Sequence, residues 1–454
     1  MDYTLWSSPV SGQGLYAFSK TTLPNRFYKY DTATDKFSNE VGFNLTNLQY
    51  PSPLVAPNGV NGTDTNNVIF EAAKSYLIRT PWDHPTGATV WNGVFKGTPN
   101  NGDITYKMNT GYNAVGNPYP STINVTDFIN ANISPTADNI DGTLWFWRKT
   151  NTTAVSTSYA TLTKTAYVAN GSAGGDTGTG FFNAGNEANW VISSGQGFIV
   201  NATNDADLIL NNGMRRASNT DQFFKFDNQN NETKPDGIFW LNLMDNQGIY
   251  SQMALGYDSK TTVDFDKGYD GLNFNKDYYL ASLIGNEGYS IQSRQKFESE
   301  DIVPLSYKVL TIGTYSISID HKTGIFNNGQ AIYLKDNLTN SLHNLSEGAY
   351  TFSSEVGNFI NRFEIVYQNA LAVSNPIFNE NQVIVYKKNQ ELTINSGNVM
   401  MDSVKIFDIQ GRLLFRKTNV NASEVKINTT TANEILLVKI TSTNNEVVTK
   451  KVMN

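Results

Sequence analysis

Cysteine is absent from the chain. Its absence excludes disulfides, thiolate metal sites and cysteine nucleophiles together. Without cross-links the fold rests on core packing, which 454 residues in two to four domains allow. Histidine is almost absent: His84, His321 and His343 stand far apart, so no helical pair of imidazoles is available to a metal. No Gly-x-Ser-x-Gly turn exists to partner any of them in nucleophilic catalysis. Charged residues make up only 17%, and Lys+Arg 34 against Asp+Glu 41 leaves a net charge of −7 with no basic block. Nucleic acid, whose phosphates demand clustered Lys and Arg, is therefore argued against as a partner. No run of about 18 apolar residues is present, so no transmembrane helix is expected. The start, Met1-Asp2-Tyr3-Thr4, has neither a basic region nor an apolar core for a signal peptide.

Helical periodicity is also scarce. Asn67–Leu77 is ambiguous, and Thr126–Ala131 has room for one helical turn. What remains is rich in Tyr (23), Phe (25) and Gly (35), arranged as short alternating runs split by Gly, Asn and Asp turns. Aromatic residues suit a pleated surface, and the turn residues suit hairpins. The expected class is all-β. Two sandwich-like body domains are read at 1–218 and 219–368, a linker at 369–380, and a small immunoglobulin-like β-sandwich at 381–454. In the first body, Gly195-Gln196-Gly197 is expected to let two backbones approach closely. In the second, Tyr315–Ile319 alternates with period two.

Candidate sites are few. Asp264, Asp266 and Asp270, around Gly268, loosely match a calcium loop, where oxygen ligands converge on a tight turn. The spacing is not that of an EF-hand, and a solvated turn is the competing reading. Gly171–Gly180 has the composition of a phosphate cradle, but no Gly-Lys-Ser/Thr ending and no helix follow it. Trp145 and Trp147 share one face of a strand; exposed they would stack on sugars, buried they are core. Trp82, Trp91 and Trp190 lie in loop-like sequence, where stacking on glycans is the more natural role.

The most informative stretch is the last 70 or so residues. Val404–Leu414 alternates, turns at Asp408-Ile409-Gln410-Gly411-Arg412 and resumes; Ile435–Val452 alternates again and ends in Lys450-Lys451-Val452. Lys450 and Lys451 suit recognition by an acidic partner, or the blunting of an edge strand. This strand, Gly-Arg turn, strand and Lys-Lys-Val pattern resembles the type A C-terminal sorting domain of the Bacteroidetes type IX secretion system. In the body, Trp6-Ser7-Ser8-Pro9-Val10, Gly116-Asn117-Pro118-Tyr119-Pro120, Gly195-Gln196-Gly197-Phe198 and Asn361-Arg362-Phe363 resemble, in that order, a module preceding such domains in flavobacterial adhesin-like surface proteins. The resemblance implies several things. A type IX substrate needs an inner-membrane export signal, so the chain would be the C-terminal part of a longer protein. Asp408, Gly411, Arg412, Lys439, Lys450, Lys451 and Val452 would carry recognition. An outer-membrane β-barrel shuttle and the translocon would receive the domain. A sortase would cut near Gln368–Glu380 and leave the body released or anchored to lipopolysaccharide. The body would be a non-enzymatic adhesin or stalk at the cell surface, in gliding motility for example, meeting surface glycans. The competing expectation is an accessory carbohydrate-binding module of a secreted hydrolase.

Overall fold

The computed structural model describes residues 3–39, 68–85, 91–147, 159–169, 182, 187–217, 235–246, 250–368, 378–388, 391–397, 399–428 and 434–453. The Gly171–Gly180 loop and most of the 369–380 linker lie outside the described residues. The architecture is all-β, with sheets packed as sandwich-like or barrel-like bodies. No described helix is long and apolar enough to cross a membrane.

The chain divides into two compact units. The first contains Met1–Pro235 together with Lys260–Phe274 and Ser290–Gln295. Its larger sheets are a four-stranded one (Tyr3–Trp6, Tyr76–Arg79, Phe27–Asp31, Lys36–Asn39) and a five-stranded one. The latter runs Tyr167–Val168, Tyr159–Leu162, Ile140–Trp147, Gly197–Ala202, Gly111–Gly116. The ambiguous Asn67–Leu77 thus feeds the strand Tyr76–Arg79 rather than a helix. The expected helical turn exists as Val125–Asn132. Asn124 caps it, accepting a 2.9 Å bond from the Asp127 amide, so one orphan helix donor is satisfied. The Asn-Pro-Tyr-Pro turn is fixed from inside: buried Asn117 donates to the carbonyls of Ser121 (2.8 Å) and Ile192 (3.2 Å). At Gly197 a Cβ would sit 2.4 Å from Ser75 Oγ, the close approach expected from the Gly-Gln-Gly sequence.

Two pieces of the stretch read as the second body belong instead to this first unit. The Gly268 amide donates to the Asp141 carbonyl at 2.9 Å, and Lys164 N donates to the Gly268 carbonyl at 2.8 Å. Phe274 packs on Trp145, Tyr112 and Tyr159. These partners lie more than a hundred residues away, beyond the reach of any local pattern.

The second unit holds most of an eleven-stranded antiparallel sheet, within which run Gly237–Asp245, Tyr250–Tyr257, Ile302–Val309, Gly313–Lys322 and Gly357–Val366. One core, including Phe239, Leu255, Leu305, Ile317 and Phe363, is gathered from strands across it. The strands of this sandwich-like or barrel-like body are hydrogen-bonded into one continuous sheet. Register shifts between Phe239 and Leu241 and between Leu305 and Tyr307 introduce irregularities of the kind that let a sheet bend sharply.

The C-terminal residues, in the same unit, form a small sandwich. Ile384–Lys388, Glu391–Asn395 and Glu424–Asn428 make one sheet; Leu413–Ala422, Met401–Asp408, Ile435–Ser442 and Val447–Met453, in that spatial order, make the other. Val404, Ile406, Val438 and Ile440 meet Val385, Leu392, Ile394 and Ile427 in its core. The strands around Val404, Ile406, Val438 and Ile440 supply every second residue, so the alternation seen in the sequence there is the sandwich itself.

Candidate functional site

The Asp408–Arg412 turn is built by one carboxylate. Asp408 Oδ1 accepts from the amides of Gln410 (2.9 Å) and Arg412 (2.8 Å), and Oδ2 accepts from Arg412 Nε at 2.5 Å. These donors hold the carboxyl below the usual aspartate range, the Arg412 backbone amide foremost. Gly411 takes φ +80°, and its amide donates to the Asp408 carbonyl at 3.0 Å. Nothing lies within 4 Å of where a Gly411 Cβ would stand. Gly411→Ala is therefore expected to cost only the left-handed backbone penalty, about 1 kcal/mol, visible as a small fall in the urea midpoint.

The cations of this domain are placed by strand register. Lys405 lies opposite Arg416 on one side and Lys439 on the other. Directly opposite residues point to the same face, with Cβ atoms about 5 Å apart. Three cations thus form one row across the outer face of the four-stranded sheet. Among the described residues none of the three has an acidic partner. Like charges directly opposite destabilise a sheet by roughly 0.2–1 kcal/mol each. Lys451 stands on the same outer face, opposite Leu437. Lys450 does not: it lies opposite buried Val438 on the inner side, and its charge acts on the half-buried Glu355. Glu355 accepts from the Val385 amide at 2.5 Å, and burial raises its carboxyl. The terminal lysine pair is therefore split between two faces, because adjacent strand residues point opposite ways. Val452 packs partly on the sandwich core. The sequence pointed to Lys439 and Lys451 but missed Lys405 and Arg416, which join them only through cross-strand pairing.

The aspartate loop is organised by its own hydrogen bonds. Buried Asp270 accepts from the amides of Asp266 and Ser293, each at 2.7 Å. Asp266 Oδ2 accepts from the Thr262 amide (2.6 Å) and hydroxyl (3.0 Å), while Asp264 is exposed. Among the described residues no group of three or more His, Asp or Glu is placed to hold a metal.

Burial, with Asp266 adding a smaller like-charge effect, pushes the Asp270 carboxyl up to about 7. The unfolded chain then loses this proton near pH 4 while the folded chain keeps it, so stability falls as pH rises from about 4 to 7. Each pH unit in that window removes up to about 1.4 kcal/mol. Urea midpoints measured across it should fall more steeply with rising pH in the wild type than in Asp270→Asn.

The histidines are structural in their contacts. His321 stacks on Trp240 with ring centroids 3.9 Å apart and bonds Asp320 at 2.6 Å; His343 bonds the Gly348 carbonyl at 3.0 Å. Of the tryptophans, Trp145 is core at 0% exposure, and so is Trp190 at 1%, against its expected loop role. Trp82 is exposed. Trp145 and half-buried Trp147 lie on an aromatic face shared with Tyr3, Tyr28, Tyr112 and Tyr159. Their indole N–H groups are buried without a hydrogen-bond partner among the described residues.

Residues 1–367 match the model of a family described as a domain of unknown function (DUF8693). Residues 371–454 match a second, described as a domain of unknown function (DUF8694). No curated protein matches the chain.

Proposed function

This chain belongs to the DUF8693 family, and we propose that it is a cell-surface protein exported across the outer membrane by the type IX secretion system. In this reading residues 371–454 are the export signal and the body is a non-enzymatic adhesin-like or stalk module. The observation that carries it is the C-terminal sandwich. It has its own core, a turn locked by Asp408 and Gly411, and an outer face where Lys405, Arg416, Lys439 and Lys451 stand together. Charge supports it. Residues 371–454 hold ten Lys/Arg against seven Asp/Glu, while the preceding residues hold 24 against 34. A domain of opposite sign to its passenger is suited to separate recognition.

The partners in this reading are a β-barrel shuttle, the translocon, a sortase acting near Gln368–Glu380, and lipopolysaccharide as anchor. Surface glycans are the ligand of the body, and gliding motility is one setting for such an adhesin. A calcium requirement at the Asp264–Asp270 loop belongs to the same proposal. It is read by melting the chain with calcium and then with chelator, where a calcium-dependent rise supports the site. The second reading is a carbohydrate-binding accessory module, for which exposed Trp82 is the stacking candidate.

The test is a reporter placed behind an inner-membrane export signal and fused to residues 371–454, in a type IX-competent cell. Surface display is expected. Retention in the periplasm, with an established sorting domain working in parallel, overturns the reading.

A further inference from the structure

We propose that the outer edge of the strand Leu413–Ala422 is a strand-addition site for an extended, acidic segment of a partner protein. The inference deepens the export reading by stating the chemistry of the receiver, and it stands or falls on a separate measurement.

Three observations carry it. First, the edge is open. The strand pairs with Met401–Asp408 on one side, and among the described residues no strand pairs with the other. It is ten residues long, longer than the seven or eight of its sheet neighbours. Edge strands are ordinarily shortened, covered or bulged, because a long open edge templates pairing with another chain. Here Leu413 and Leu414 stand 52% and 46% exposed on it. A register shift at Leu414 and positive φ at Asn419 and Asn421 bound the regular run, so Phe415–Thr418 is the regular part of the Leu413–Thr418 template.

Second, the face beside this edge is cationic. A strand added along Leu413–Thr418 would place a side chain next to Arg416, extending the row Arg416, Lys405, Lys439. These three cations repel one another and have no acid among them. A carboxylate in the next strand would sit opposite Arg416 and relieve the row. Charge complementarity thus asks for Asp or Glu at the position of the incoming segment that faces Arg416.

Third, the combination discriminates between occupants. An anionic lipid surface would answer the cations and the exposed leucines. It would leave the open backbone N–H and C=O groups of Leu413–Thr418 unanswered, and a peptide strand satisfies all three.

The experiment uses the full chain and a library of eight-residue peptides with Asp or Glu at alternate positions and Val, Ile, Thr or Tyr between. Amide exchange and affinity are read together. The tightest member should slow exchange at Leu413–Thr418. Methylating its edge-facing amide nitrogens, or introducing Arg416→Glu, should each weaken binding at least tenfold. Because Arg416 is exposed, the variant should melt like the parent. Four outcomes overturn the proposal: no member protects the edge; the methylated peptide binds equally well, which leaves charge alone; anionic vesicles protect the edge while peptides do not; or protection rises with protein concentration without peptide, which makes the occupant a second copy. A reporter that is not exported while peptide still binds removes the export reading and leaves the edge site. Export without any peptide binding does the reverse.

Discussion

Asp336→Ala is expected to destabilise the second unit by about 3–5 kcal/mol, the largest effect of any single substitution considered. Asp336 is 0% exposed, and the Arg362 it faces is 7% exposed. Arg362 Nη2 and Nε donate to the carboxylate at 3.0 and 3.2 Å. Nη1 donates to Tyr307 Oη at 3.2 Å and to the Ser353 carbonyl at 2.8 Å. The carboxylate also accepts from Tyr350 Oη and the Leu338 amide, each at 2.9 Å. The guanidinium lies over the rings of Phe352 and Phe363, 4.7 and 4.8 Å from their centroids. Removing the carboxylate leaves a cation in an apolar core with its two strongest acceptors gone. Replacing both partners by apolar residues of similar volume removes the charge as well, so Asp336→Leu with Arg362→Met should recover most of the loss. Urea unfolding of the single and double variants measures this. A single variant within 1 kcal/mol of wild type would show that water reaches the site.

Reversing the cation row is expected to abolish export with little effect on folding. Arg416→Glu combined with Lys439→Glu puts carboxylates on both sides of Lys405. The repulsive cross-strand pairs become attractive ones, so the melting temperature should hold or rise slightly. If the row meets an acidic receiver, surface display of the 371–454 reporter should fall at least tenfold. Lys426→Glu is the control: Lys426 lies on the other sheet, 3.4 Å from Glu391, and its reversal should leave export intact. Equal display of all three reporters would remove the row from recognition. Equal loss in all three would point to net charge rather than to this face.

These two expectations differ in how far the sequence leads to them. Asn361-Arg362-Phe363 stands out as a motif, yet nothing local identifies Asp336 as the partner, 26 residues earlier. Asp336 sits opposite Phe363, and the register shift just before Phe363 lets its neighbour Arg362 turn to the same inner side, so both are buried there. Lys405, Arg416 and Lys439 are three unremarkable cations in the sequence, spread over 35 positions, until two strand pairings align them. Trp190 was read from its surroundings as a loop residue and proved to be core, because a short 3-10 turn at Glu187–Asn189 delivers it inward.

What the sequence determined by itself was whatever depends on near neighbours. The all-β class follows from period-two alternation and turn residues. The Asp408–Arg412 turn follows from a side chain that bonds amides two and four residues on and a glycine that accepts φ +80°. The helix at Val125–Asn132 is of the same kind. The tertiary structure alone decided which strands adjoin, and with that everything set by long-range register. It assigned Lys260–Phe274 and Ser290–Gln295 to the first unit, buried Asp270 and closed the Asp336–Arg362 pair. The physical reason is the same throughout. Backbone hydrogen bonds between strands are blind to sequence separation, so a sheet fixes its neighbours by the packing of the whole face, which no short window of residues records.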